Sequence, residues 1–300
     1  MRVNNSFTRL RTGLLAGLLL SVATSSLALA SNHDRTPAES ITLSPVSRTY
    51  KVDPGSTQND KLTIVNDGAS DYTFKVYMAP YSVNDEGYDP DFSSVRKNTD
   101  IESWVQFEKN SYFAKAGETI TVDYKFVVPK TAFPGGHYGV IFAETQPAGD
   151  LDSTGVERKK RVGAIIYATV NGDYKTGGNV LIIDTPKFQF TPPLKSALTI
   201  ENTGNADFAA KTSHIVTDVF GNKKYESEKT YQILPQTSRK MPLEWAQAPS
   251  FGLFKVTVAT QFLNKNEIRS NYVLMAPIWI YLVLVSVLLL GVVFFVQRKR

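Results

Sequence analysis

Through residues 41–273, short runs rich in Val, Ile, Thr, Tyr and Phe alternate with Gly, Pro, Asn and Asp. The clearest run is 119–128, TITVDYKFVV, where Ile120, Val122, Tyr124, Phe126 and Val128 share one face. That pattern predicts an antiparallel strand with one face on a core and the other in water. Runs rich in Val, Ile, Thr, Tyr and Phe predict further strands at 48–52, 61–66, 72–82, 104–107, 138–144 and 162–170. A second set is predicted at 187–191, 197–201, 208–218, 230–233, 238–243 and 253–262. Two flanks, GHYGVIFAE and VGAIIYATV, are the most apolar of all. They predict a long hairpin whose tip is the polar stretch 145–161. Outside the two ends of the chain, no segment has a convincing helical period.

An internal repeat divides the body. Residues 62–75 read LTIVNDGASDYTFK and residues 198–211 read LTIENTGNADFAAK. Each copy predicts a strand, an Asn-x-Gly turn and a longer strand, with Asn66-Asp67-Gly68 matching Asn202-Thr203-Gly204. Chance similarity at a common β-turn is the alternative. The reading is all-β, with an Ig-like β-sandwich over 41–172, a Gly-rich linker at 173–178 and a second Ig-like β-sandwich over 179–273.

The two ends change the picture from a free module to an anchored one. Residues 278–296, IWIYLVLVSVLLLGVVFFV, carry no charge. As a helix this run would extend roughly 28 Å, close to the hydrocarbon thickness of a bilayer. Pro277 suits the first helical position, and Trp279 and Tyr281 suit a headgroup level. The tail 297–300, with Arg298, Lys299 and Arg300, predicts a cytoplasmic end. A transmembrane helix at 277–296 is therefore expected after the two sandwiches, in a single-pass type I protein of the cell membrane. At the other end, Arg2, Arg9 and Arg11, the apolar run 13–22 and Ala28-Leu29-Ala30 predict a signal peptide over 1–30. An uncleaved signal anchor is the alternative. Residues 31–40 predict a flexible leader.

Charge narrows the function classes. The chain has 33 Lys and Arg against 28 Asp and Glu, a formal +5. Three Arg lie in 1–30 and three basic residues in the tail, so 33 less six leaves 27 against 28 in the body. No excess positive charge remains to bind nucleic acid. There is no cysteine, which excludes disulfides, thiolate metal sites and cysteine nucleophiles.

The order of parts carries a family resemblance. The first domain has Asp53-Pro54-Gly55, the strand end Ile64-Val65-Asn66-Asp67-Gly68, and Pro129, Phe133, Gly135 and Gly136 leading into a strand–loop–strand pair. With a signal peptide, two β domains, an apolar C-terminal segment and a basic tail, this resembles the WxL-interacting proteins of Gram-positive cell surfaces. The resemblance implies a peptidoglycan-binding first domain, a second domain that holds a surface protein, and a membrane anchor. The strand-plus-Asn-x-Gly wording is also similar to periplasmic pilus chaperones. Those are soluble, and the C-terminal apolar segment argues against them.

Candidate chemistry is sparse. His33, His137 and His214 lack metal-ligand spacing, and no nucleophile elbow, phosphate loop or dinucleotide fingerprint is present. No enzyme activity, metal or cofactor is expected, although carboxylates could still converge in space. The loop 84–91, NDEGYDPD, is rich in oxygen donors but lacks the calcium-loop spacing, and reads equally as a solvated turn. Candidate ligand contacts are the aromatic rings Tyr77, Tyr81, Tyr88 and Trp104, which suit a glycan platform or a sandwich core. The cluster Arg158, Lys159, Lys160 and Arg161 suits an anionic wall polymer, or simply keeps a hairpin tip soluble. Trp245 reads as an exposed contact or a loop anchor. The expected function is a membrane-anchored surface protein that attaches to peptidoglycan, to a surface-protein partner, or to both. A structural spacer without glycan affinity is the runner-up.

Overall fold

The computed structural model describes residues 39–84, 88–99, 101–146 and 159–298. The expected signal peptide, most of the leader, Arg158 and the centre of the 84–91 loop lie outside the described residues.

The first sandwich begins with β1 (Ile41–Ser44), β2 (Ser47–Val52), β3 (Thr57–Asn66) and β4 (Tyr72–Pro80). A short pair follows, β5 (Ser82–Val83) and β6 (Pro90–Asp91). Then come β7 (Val105–Phe107), β8 (Ser111–Ala114), β9 (Thr119–Val127), β10 (Gly135–Thr145) and β11 (Arg161–Val170). Two sheets face each other, in the orders β1-β3-β9-β7 and β2-β11-β10-β4-β8. All pairings are antiparallel except β2 with β11, which runs parallel from Ser47↔Ile165 to Val52↔Val170. The alternation in β9 places Val122, Tyr124 and Phe126 in the core, against Leu62, Phe74 and Ile141. Strand β10 departs from alternation because both of its faces are covered. Ile141 and Ala143 face the sandwich core, while Tyr138 lies under a second cluster with Tyr81 and Tyr167.

The second sandwich contains β12 (Gly178–Asp184), β13 (Phe188–Gln189), β14 (Leu194–Asn202) and β15 (Phe208–Asp218). It continues with β16 (Lys223–Ile233), β17 (Ser238–Trp245), β18 (Gly252–Phe262) and β19 (Lys265–Met275). Its sheets have the orders β12-β14-β17 and β13-β19-β18-β15-β16. Leu198, Ile200, Met241, Val256, Val258 and Phe262 fill the space between them.

The repeated turn has one hydrogen-bond plan in both copies. The Asn66 side-chain amide donates to Ser70 O and Ala114 O, and its carbonyl accepts from Gly68 N at 3.0 Å. The Asn202 amide donates to Ala206 O and Ile233 O, and its carbonyl accepts from Gly204 N at 2.8 Å. Both asparagines are fully buried. A buried amide is tolerated only when its donors and acceptor are all used.

The second copy of the turn also forms the joint between the sandwiches. Gly136 N donates to Asn205 O at 2.8 Å. Tyr138 donates its hydroxyl to Asp207 Oδ1 at 3.0 Å and accepts from Asp207 N at 2.9 Å. The backbone must approach closely here. A Cβ on Gly136 would collide with the Tyr138 hydroxyl, and one on Gly135, whose φ is 116°, would meet Asn205 O at 2.8 Å.

After β19 the chain enters helix α1 (Ile278–Arg298). Its aromatic Tyr281 packs edge-on against Phe190 at 5.4 Å and Phe188 at 6.3 Å. Among the described residues, no helix is long and apolar enough to cross a membrane. The expected transmembrane helix is corrected on that finding, and the single-pass type I placement with it. The all-β, Ig-like sandwich architecture stands.

Candidate interaction surface

The strongest surface feature is a sheet edge left half-finished. Strand β19 pairs along its whole length with β18, from Gly252↔Met275 to Phe262↔Lys265. On its other side, among the described residues, only β13 pairs, at Phe188↔Leu274 and Gln189↔Met275. Leu274 N donates to Lys187 O at 2.8 Å and Ala276 N to Gln189 O at 3.0 Å, so the even-numbered amides point away from β18. Ladder direction alternates along a strand, so Tyr272, Ser270 and Ile268 present their N–H and C=O groups outward as well. Among the described residues no strand pairs with them. An unpaired row of this kind is a template for an added strand.

The seam beside this edge has an apolar wall. Across it lies β12, whose ladder to β14 shifts between Val180 and Ile182. Leu181 and Ile182 are left 50% and 56% exposed there. A cavity of about 240 Å³ is lined by Val180, Leu181 and Ile183 from β12 and by Glu267, Arg269 and Asn271 from β19. A second, of about 480 Å³, lies on the outer face between Phe188, Leu253 and Tyr272. The seam is closed at one end by Lys265, whose ammonium donates to Gly178 O at 2.6 Å and Asn179 Oδ1 at 3.1 Å. At the other end it is closed by β13.

The residues singled out from sequence lie elsewhere. Trp104 is a core residue in a 3-10 turn (Glu102–Trp104), against Phe126 and His137 with centroids at 5.8 and 4.6 Å. Tyr81 is buried with Tyr167 and Phe92. Tyr88 accepts from Leu234 N at 2.8 Å, donates to Gln232 O, and lies under the Arg239 guanidinium at 4.5 Å. Burial pushes the hydroxyls of both Tyr81 and Tyr88 up from the usual phenol range. Tyr77 is half-buried and donates to Glu144 Oε2 at 2.7 Å. Of the basic cluster, Lys159 pairs with Glu144 at 3.9 Å and Lys160 donates to Glu39 O. Arg161 lies over the Phe142 ring at 4.2 Å. The structure thus brings Tyr77, Lys159 and Arg161 together around Glu144 and Phe142, and holds Trp104, Tyr81 and Tyr88 in buried internal contacts. Trp245 stacks on Tyr225 at 5.9 Å and is half-buried.

Strands β12 and β19 escaped the sequence reading. On β19 the inward row is Glu267, Arg269 and Asn271, so the strand lacks an apolar face along the open part of the seam. The available signals were the even-spaced Ile268, Tyr272 and Leu274 and the two-residue turn Leu263-Asn264, where Leu263 has φ 50°.

Chemistry at the histidines is also internal. Burial pushes both imidazoles down, His214 to about 4. His137 shares a hydrogen bond with Phe133 O at 2.9 Å. Among the described residues no three His, Asp or Glu side chains group to hold a metal ion.

No family model matches the chain, and no curated protein does. Similar solved structures include a class 5 fimbriae chaperone, CfaA, at 12% identity and TM-score 0.41, covering 77% of this chain and 99% of that one. The E. coli chaperone DraB is 12% identical at TM-score 0.39, covering 78% and 96%. The chaperone–tip adhesion subunit complex CsuC–CsuE of Acinetobacter baumannii is 12% identical at TM-score 0.39, covering 77% and 97%. Membership in the WxL-interacting family is corrected accordingly, since no family model matches the chain. The membrane-anchored, peptidoglycan-attaching function rested on that family and on the span, and is corrected with them. At these identities the likeness concerns the fold alone.

Proposed function

We propose that this chain is a non-catalytic protein-binding module that takes up an extended segment of a partner protein along the free edge of β19. The observation that carries the reading is the outward row of Ile268, Ser270 and Tyr272, unpaired beside an apolar wall. Strand addition supplies main-chain hydrogen bonds to such a row, and side-chain pockets on alternate positions supply selectivity. The opposite edge of the same sheet is protected. Strand β16 carries Lys223, Lys224, Glu226, Glu228 and Lys229, and its charges are tied up in pairs such as Lys211–Glu228 at 2.9 Å.

The test is a photo-reactive amino acid placed at 268 or 270 in the full chain, with 226 and 228 on β16 as controls, followed by hydrogen exchange on the cross-linked complex. The reading expects a discrete protein adduct from β19 alone, with slowed exchange at Ile268, Ser270 and Tyr272. Adducts formed equally from both edges, or unchanged exchange on β19, would overturn it.

A further inference from the structure

The second sandwich has a pocket away from the β19 edge. We infer that the cleft between β16 and β17 is a binding site for a small, uncharged aromatic alcohol of the phenol class, whose hydroxyl meets His214. Strands β16 and β17 are edge strands of the two sheets, and among the described residues neither pairs with the other. Pro242 has no N–H to offer such a ladder. A cavity of about 270 Å³ is left between them. Its size sets the size of the ligand. Apolar cavities of about 150 Å³ accept benzene, and drug-sized ligands occupy roughly 300–1,000 Å³, so this one suits a single ring with a short substituent.

The polar end of the ligand is set by the floor. His214 lies on β15, one strand in from the edge, opposite Ser227, and is 1% exposed. Both of its ring nitrogens are buried without a partner among the described residues. Burial holds the imidazole at about 4, so at neutral pH one nitrogen donates and the other accepts. A hydroxyl meets either nitrogen, because it both donates and accepts. The walls are rings. Tyr225 stands edge-on to His214 with centroids at 5.7 Å, and Tyr231 lies further along the same inward row of β16. Each is fixed by a second contact, Tyr225 by Trp245 stacked at 5.9 Å and Tyr231 by the Arg239 guanidinium at 5.1 Å. Leu243 adds apolar lining from β17. Walls held in this way take up a flat ring with little ordering cost. The charged lining residues, Lys229 and Glu244, are exposed and opposite in sign. They keep their charges in water at the mouth and call for none on the ligand.

The experiment titrates the full chain, carrying isotope-labelled histidine, with phenol and with toluene, and follows the ring signals by NMR. Toluene keeps the ring and replaces the hydroxyl by a methyl. Phenol should shift the His214 signals saturably and leave those of His137, buried in the first sandwich, unmoved. Toluene should bind at least about tenfold more weakly, a difference near 1.4 kcal/mol. His214→Leu, which leaves the cavity apolar, should remove that preference. Ser227→Leu, which fills the cavity, should abolish binding of both, with urea denaturation confirming that each variant is folded. Equal affinities of the parent chain for the two compounds would overturn the inference. So would phenol that leaves His214 unmoved, whether or not it binds elsewhere.

Discussion

Asn66 and Asn202 show how much one side chain can organise. Each sits fully buried at the end of a strand and makes three hydrogen bonds, two within its turn and one to a neighbouring strand. Replacing Asn202 by Ala leaves two carbonyls and one N–H unpaired, which should cost about 2–3 kcal/mol in urea denaturation. The Asn-x-Gly wording was legible because the chemistry is local. His214 was not legible in the same way. It occupies an inward position of β15, both ring nitrogens lack a partner, and its nearest ring is Tyr225 at 5.7 Å. Burial holds its imidazole at about 4, whereas the unfolded chain takes the proton near ~6.5. The stability that the neutral ring supports is therefore complete above ~6.5 and is lost as pH falls towards about 4. His214→Phe keeps a ring and removes the titration. Between pH 7.5 and 5 the variant should lose about 2 kcal/mol less than the parent, measured by denaturant titration at each pH.

At the scale of elements, legibility followed burial. Strand β9 was readable because one face is apolar and the other polar, and the β10–β11 hairpin because both strands are nearly continuous apolar runs. Strand β19 was not readable, because its inward residues opposite the open seam are polar. The absence of an apolar face on a real strand marks the place where the sandwich is left open. The start of β10 carries a different signal. The Gly135-Gly136 pair lies ahead of the strand predicted at 138–144, yet Gly136 is a strand residue in a ladder with Thr169. It is glycine because the Tyr138 hydroxyl occupies the space a methyl would need. Gly136→Ala should displace that ring and cost about 1–3 kcal/mol, as overpacking does. Its signature is loss of the slow amide exchange at Asp207, whose N–H is bonded to the Tyr138 hydroxyl.

For the whole molecule, the joint between sandwiches rests on a carboxylate without a cation. Asp207 accepts from Tyr138 at 3.0 Å and from the Gln232 amide at 3.1 Å, and burial raises its carboxyl above the usual range. A group whose folded value is raised gives stability that is full below the unfolded value and declines as pH rises through the folded one. Asp207 thus weakens the joint at neutral pH. Asp207→Asn should raise the midpoint of thermal unfolding at pH 7, with the gain shrinking towards pH 3. Gln232 Oε1 is buried without a partner, so a turn of that side chain can accept from the new amide. Tyr138→Phe should do the opposite at both pH values, costing about 1–3 kcal/mol by leaving the Asp207 N–H and Oδ1 unpaired. Neither the joint nor its carboxylate could be read from sequence. Asp71 occupies the matching position in the first copy, and there it accepts from Ala116 N within its own sandwich.

The parallel pairing of β2 with β11 has a consequence in time. Residues 47–52 cannot find their ladder partners until 165–170 have been made. At ~5–20 residues per second, that is a wait of roughly 6–25 s during synthesis. Through that interval β2 is already emerging while its side of the sheet does not exist, and β10 emerges with both apolar faces bare. Nascent chains arrested before 165 should therefore be cut readily within 47–52 by a protease pulse. Chains arrested far enough beyond 170 to clear the ribosome should resist.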